Sequence, residues 1–388
     1  MGEIQAMEWA RMTLIAHLAD LHLGYRQYGL IEREDDLYEV FEEAVNKIIE
    51  EHARIVVISG DLFNSPRPPI RALYHVKKNL EKLRSRGIDV FCILGDHDLP
   101  RRAGEYSPIM LFKDELLYHV NGKIVERESG GATFIITGLD KAPITASDRL
   151  REIAENLSKE IQAKPGKRIF IAHVPIHGIS GEFCLDDLPA GCDYYALGHE
   201  HIRKLIRKDS GLAAYPGSID ILARDEIKEW KAEGKGFYLV DLSGSEPVVH
   251  RINLNSIRPQ EIFTVTLEEA VEKVSAWMAD QQKPPVIHLL IKDREFEPRI
   301  VYDVVEKLRS QGALEVKYYK AGSEISESFT SIARLDVSRF NIRDLIARTA
   351  QDSGLSEEEA KLAIQIYDEF RKGGADALTE LISRIRPR

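Results

Sequence analysis

The sequence has little of what an oxidising or membrane compartment asks of a protein. It holds only three cysteines, Cys92, Cys184 and Cys192, an odd number, widely spaced and without a CxxC pair. That excludes a disulfide scaffold, argues against a thiolate metal site, and makes a reducing cytoplasm the expected location. No apolar run reaches the ~18 residues a membrane span needs, so no membrane association is expected. The opening MGEIQAMEWARM lacks the basic-then-apolar order of a secretory signal. Basic charge is also in deficit. The formal net charge is −10, which argues against a protein that holds nucleic acid by bulk electrostatics and leaves room for local cations to do so. There is no internal repeat and no low-complexity segment.

What is present is ordinary globular material: 388 residues, 44% hydrophobic and 30% charged, enough for two or three domains. The first half alternates short β-branched runs with helical stretches. TLIAHLA (13–19), IVVISG (55–60), VFCILG (90–95), 133–138, 168–173 and YYALGHEH (194–201) read as strands, and 34–51, 70–86, 108–117 and 147–162 as helices. This alternation predicts an α/β sandwich with helices packed outside its sheets. Short Gly-punctuated strands over 203–253 extend it. RPQE (258–261) reads as a linker, followed by a helix-strand-helix-strand unit to about 322. From about 336 there is no strand signal. Ile342, Leu345, Ile346, Leu362, Ile366, Phe370, Leu378 and Leu381 form apolar stripes at helical spacing. The expected division is 1–255, 256–335 and 336–388.

Five stretches put Asp or His just after a strand, where loops converge on one sheet edge. They are Asp20-Leu21-His22, Gly60-Asp61, Gly95-Asp96-His97-Asp98, His173 and Gly198-His199-Glu200-His201. Each alone has a bland reading: a chance DxH, an Asx turn after a strand, or a packed histidine. Together they form an all-oxygen-and-nitrogen donor set that suits a pair of Mn2+, Fe2+ or Zn2+ ions. Such a pair, about 3.5–4 Å apart, clamps a phosphodiester and needs a bridging carboxylate, for which Asp61 is the candidate. His97 is placed to protonate a leaving oxygen. His17 reads as packed in a strand. His177 competes with His173, and the strand terminus favours His173.

In order and spacing these elements resemble the calcineurin-like metallophosphoesterases, whose pattern is DxH, GD, GNH[D/E], H, GHxH. Within them HLADLHLGYRQYG, VVISGDLFNSPRP and ALGHEHI resemble the Mre-eleven/SbcD nuclease family. The motifs cover 13–201; the remainder matches in layout alone. The resemblance implies that Asp20, His22, Asp61 and His201 hold one cation and that Asp61, Asp96, His173 and His199 hold the other. It implies that His97 is catalytic and that the cations are manganese. It further implies a homodimeric DNA exonuclease and endonuclease of double-strand-break repair. A DNA-contacting cap and a C-terminal segment that binds an SMC-like ABC ATPase of the Rad-fifty/SbcC type would complete it, at the nucleoid. Two positions depart from the pattern: Asp96 stands for the usual Asn, and Asn64 for a frequent His. Arg101-Arg102 and Arg203–Lys208 are candidate phosphate contacts. Leu73, Leu80, Met110 and Phe112 are candidates for a dimer seam or for the core. A phosphatase on the same metal core, and a scaffold with a degraded site, remain as alternative classes.

Overall fold

The computed structural model describes residues 14–321 apart from 101, 103, 179, 180, 294 and 296, together with 361, 362 and 364. In chain order the elements are β1 (Leu14–Leu18), α1 (Ile31–Glu50), β2 (Ile55–Ser59), α2 (Ile70–Ser85), β3 (Asp89–Ile93), β4 (Tyr118–His119), β5 (Val125–Ser129), β6 (Ala132–Leu139), α3 (Ser147–Gln162), β7 (Lys167–His173), β8 (Tyr194–Gly198), β9 (Lys204–Lys208), β10 (Gly211–Tyr215), α4 (Ile227–Glu233), β11 (Gly236–Asp241) and β12 (Val248–Asn253). They build two six-stranded sheets, ordered β12-β11-β1-β2-β3-β4 and β5-β6-β7-β8-β10-β9. Strands β1 to β4 run parallel, as do β6, β7, β8 and β10.

The two-residue period of a strand explains the layering. Ile55, Val57, Phe91 and Ile93 of one sheet meet Phe134, Ile136, Ile169 and Ile171 of the other in a shared core. The alternate residues Ile135, Phe170, Ala172, Tyr195 and Leu197 face outward onto Ala154, Leu157 and Ile161 of α3. Sheets buried on both faces need continuous apolar runs, which IVVIS and RIFIA supply.

The small unit adds β13 (Gln260–Val265), α5 (Leu267–Met278), β14 (Val286–Ile291), α6 (Pro298–Ser310) and β15 (Glu315–Lys320). Its three strands are parallel in the order β13-β14-β15. The segment read as a linker is instead an anchor. Arg258 is buried and grips Asp36 through Nε and Nη2 (2.6 and 2.7 Å), and Gln260 opens β13 while bonding Gln27 and the Ile221 carbonyl. Asp36 and Asp220 also share Arg33, so a buried polar network joins the small unit to the large one.

Other expectations need correcting. The helix expected over 108–117 is one 3-10 turn, Pro108–Leu111, capped by Ser107 and followed by a loop through 112–117 into β4. Leu80 and Phe112 are core residues, whereas Ile70, Tyr74 and Leu111 are exposed (83%, 63% and 68%). Arg203 is buried and spent on Asn253 and the Glu233 carbonyl, so it is no phosphate contact. Arg101 and the apolar stripes of 336–388, Leu362 aside, lie outside the described residues. Cys92 and Cys192 are buried, Cys184 partly so, and all three are free thiols. Among the described residues no helix is long and apolar enough to cross a membrane.

Candidate metal centre

The parallel strands β1, β2, β3, β7 and β8 all end at one edge of the sandwich, and each delivers a motif there. The Asp20–His22 loop lies along the Asp61 loop, with the His22 amide bonded to the Asp61 carbonyl (2.9 Å) and that of Leu23 to Leu62 (3.0 Å). Asp20, His22, Asp61 and His199 all sit at positive φ (52°, 45°, 50° and 94°). That left-handed backbone is costly for residues with a Cβ, and here it turns their side chains toward a common point.

Glycine serves two purposes in these loops. Gly60 turns at φ +85°. Gly95 and Gly198 are needed for close approach: a Cβ on Gly95 would stand 2.2 Å from Asp61 Oδ1, and one on Gly198 2.1 Å from the Ser59 carbonyl. The motif glycines therefore let the ligand loops touch one another.

All seven expected ligands meet. Asp20, His22 and His201 form one group, Asp96, His173 and His199 another, and Asp20, Asp61 and His173 a third between them, each with its donor atoms within 4.8 Å of one another. Asp61 is central. Its Oδ2 lies 3.6 Å from His22 Nε2 and 3.3 Å from His173 Nε2, while its Oδ1 accepts the His97 amide (2.8 Å). Asp96 Oδ2 approaches His199 Nδ1 (3.1 Å) and His173 Nε2 (3.5 Å). Asp20 accepts the His199 amide. His97 joins a further group with His22 and Asp61, and its Nδ1–H donates to the Asn64 carbonyl (2.9 Å). His177 is exposed and outside these groups. His17 is buried behind them, bonded to Tyr194 and Ser59.

The cluster asks for positive charge. His173 Nδ1 donates to the Ser59 carbonyl (2.9 Å), an acceptor only, so that nitrogen carries the proton. Its buried Nε2 makes no hydrogen bond, yet faces carboxylate oxygens of Asp61, Asp96 and Asp20 at 3.3, 3.5 and 3.9 Å. A neutral lone pair aimed at three carboxylates is unfavourable unless a cation stands between them. The electrostatics agree. Burial would lower the basicity of His173, but Asp61, Asp96 and Asp20 outweigh it and raise the ring well above its usual range. Burial would raise Asp61, but His173 and His22 hold it below the usual carboxylate range. Asp20 goes up, because burial there exceeds the pull of His173 and His201. Carboxylates and imidazoles without sulfur fit hard or borderline divalent ions.

Three supporting groups escaped the sequence reading. The Ser59 carbonyl orients His173. Asp98, inside the Gly95–Asp98 motif, accepts the amides of Leu62, Phe63 and Gly95 (3.2, 3.0 and 3.1 Å) and ties two ligand loops together. Glu226 accepts from His201 Nδ1 (2.9 Å). Only Asp98 had a local signal, its place in the motif.

The calcineurin-like phosphoesterase family matches residues 13–203. The chain is 34% identical over 366 residues to the DNA double-strand break repair protein Mre11 of Methanocaldococcus jannaschii, spanning 91% of this chain and 93% of that one. It is 30% identical over 370 residues to the protein of the same name from Saccharolobus solfataricus, spanning 92% and 94%. Fold, donor cluster and full-length similarity agree: the chain is a metal-dependent phosphoesterase and belongs to the Mre11/SbcD family of the calcineurin-like metallophosphoesterases.

Proposed function

We propose that this chain is a Mn2+-dependent DNA nuclease, an exonuclease from three-prime ends and an endonuclease on single strands, acting in double-strand-break repair. The observation that carries the reading is the convergence of seven carboxylate and imidazole ligands around Asp61, with His97 beside it. The names of the relatives, DNA double-strand break repair proteins, supply the substrate.

In this reading Asp20, His22, Asp61 and His201 hold one cation, and Asp61, Asp96, His173 and His199 the other. Two such cations supply Lewis-acid polarisation of the phosphodiester and activation of water. The chain's own residues do the rest. Asp61, fixed by the His97 amide, keeps the two halves of the cluster in register. Asp20 holds the His199 loop through its amide. His97, its Nδ1–H donated to Asn64, would use Nε2 to deliver a proton to the departing sugar oxygen.

The division into a nuclease part (1–255), a DNA-contacting cap (256–335) and a helical segment (336–388) for an SMC-like ABC ATPase is part of the proposal. So is a homodimer, for which exposed Ile70, Tyr74 and Leu111 offer apolar surface. A cytoplasmic, nucleoid-associated setting accords with the free thiols.

The test is cleavage of linear duplex and single-stranded DNA with Mn2+ added. Metal-dependent cutting that His97→Ala abolishes is the expected result. Hydrolysis of a small phosphate ester with no cutting of DNA, alone or with the ATPase, would replace the nuclease reading with a phosphatase.

A further inference from the structure

Two buried imidazoles of the centre rest on different supports. His173 donates to a neutral carbonyl, that of Ser59. His201 Nδ1 faces a carboxylate oxygen of Glu226 at 2.9 Å. Glu226 is itself 2% exposed and comes from the short turn before α4. Its second oxygen accepts from Ser218 Oγ (2.6 Å), Lys235 Nζ (2.7 Å) and the Leu222 amide (3.3 Å).

Lys235, also 2% exposed, is the unusual member. An ammonium has three donors, and here they reach Glu226, Ser218 Oγ (2.7 Å) and the carbonyl of His201 itself (2.9 Å). The same carbonyl accepts the Ser218 amide (3.1 Å). Gly217, at φ +78°, makes this approach possible, since a Cβ there would stand 2.7 Å from the His201 carbonyl. Burying a carboxylate and an ammonium costs free energy even when they are paired. In this case both charges are spent on one residue: Glu226 holds the ring of His201 and Lys235 its backbone.

We propose that Glu226 is a positioning residue for His201, locked by Lys235 and Ser218, and that this clamp sets the affinity of one of the two cation sites. The inference rests on the dinuclear centre proposed above. A carboxylate on Nδ1–H fixes the tautomer that leaves Nε2 as the donor and makes that nitrogen more basic. Nε2 lies on the Asp20 side, 3.9 Å from Oδ1, with the His22 ring 5.2 Å away between centroids. In the other half the bonds described for the rings run from His173 to the Ser59 carbonyl and from His199 to Asp96, itself one of the assigned ligands. Among those bonds only the His201 half is held by a carboxylate from outside the ligand set, and the two cation sites are unequal.

The experiment is calorimetric titration of the full chain with Mn2+, followed by electron paramagnetic resonance of the loaded protein. Glu226→Ala would strand a buried ammonium, so the isosteric Glu226→Gln is the first variant. Glu226→Gln/Lys235→Met, which removes both charges, is the second. The wild-type chain should take up two Mn2+ and show a spin-coupled pair. Outer carboxylates of this kind are worth roughly 10–100-fold in metal affinity. Each variant should therefore lose about tenfold or more at one site, keep the other, and show the spectrum of isolated Mn2+ at concentrations that fill the wild-type pair. Two cations bound by both variants at wild-type affinity, with the coupled spectrum intact, would overturn the inference and leave the centre standing. A wild-type chain that binds no Mn2+ would overturn the centre itself. Equal weakening at both sites would also overturn the inference, because it would mark a general loss of structure.

Discussion

His97 bonds Asp61 through its backbone: the amide donates to Asp61 Oδ1 at 2.8 Å, while the imidazole Nδ1–H donates to the Asn64 carbonyl at 2.9 Å. One residue thus fixes the central carboxylate and presents a proton donor, by separate groups. His97→Ala deletes only the second. The variant should bind two Mn2+ with near-wild-type affinity in a calorimetric titration, while its cleavage rate falls by about 10²–10⁴-fold, the range for a lost general acid. Loss of metal along with activity would mean that the ring itself serves as a ligand.

Asp96 adds a negative charge where the family pattern has Asn. Its Oδ2 sits 3.1 Å from His199 Nδ1, and the pull of His173 and His199 outweighs burial and keeps its carboxyl well below the usual range. Asp96→Asn keeps one acceptor oxygen and removes the charge. Mn2+ affinity should fall by roughly fivefold, about 1 kcal/mol, the lower end for a unit charge at 4 Å. KM for DNA should fall with it, because a polyanion meets less repulsion. Unchanged metal affinity and unchanged turnover would show the substitution to be silent.

The small unit is anchored by Arg258 on Asp36. Arg258→Met removes a buried bidentate pair, though Arg33 remains on Asp36. The expected loss is about 3 kcal/mol, the low end for breaking a buried pair. It should be read as a lowered urea midpoint, with the small unit's resonances responding first. A midpoint unchanged within error would mean that water replaces the guanidinium at no cost.

His288 of β14 is buried, and burial together with Arg224 and Lys317 depresses its ring to about 3. An unfolded histidine titrates near 6.5. Between these values only the unfolded chain binds the proton, so stability rises with pH through the window and is level above it. Acidification from pH 6.5 should cost about 1.4 kcal/mol per pH unit from this residue alone. His288→Leu should flatten the slope of unfolding free energy against pH by that amount in Mn2+-saturated protein. A slope identical to wild type would mean that the ring is charged in the fold.

Deletion of 336–388 should leave Mn2+-dependent cleavage within a few-fold of the full chain and abolish co-elution with the ATPase on gel filtration. Retained co-elution would move the binding surface onto the nuclease part or the cap.

Why some of this was legible in the chain and some was not follows from distance. Asp20, His22, Asp61, Asp96, His97, His173, His199 and His201 are short motifs at the ends of apolar runs, so local spacing and residue type suffice to find them. The continuous apolar character of IVVIS and RIFIA likewise announces strands buried on both sides. The stretch 258–261 misleads because its polarity is that of a linker, whereas Arg258 is buried against a carboxylate 222 positions earlier. The 108–117 segment misleads because its apolar spacing suits a helix, and the chain instead makes one 3-10 turn and then loops through 112–117 into β4.

The sequence by itself determined which donor atoms are available, that they stand at strand ends, and that no sulfur competes for a cation. Only the tertiary structure decided how they meet. The parallel order of β1, β2 and β3 in one sheet and of β7 and β8 in the other brings five distant loops to one edge. The same packing sets Glu226 on His201 and the Ser59 carbonyl on His173. Those partners lie 25 and 114 positions apart, a separation over which neither propensity nor periodicity carries information. Hydrophobic alternation can place each strand on a face, but its neighbour is chosen by the packing of the whole sandwich.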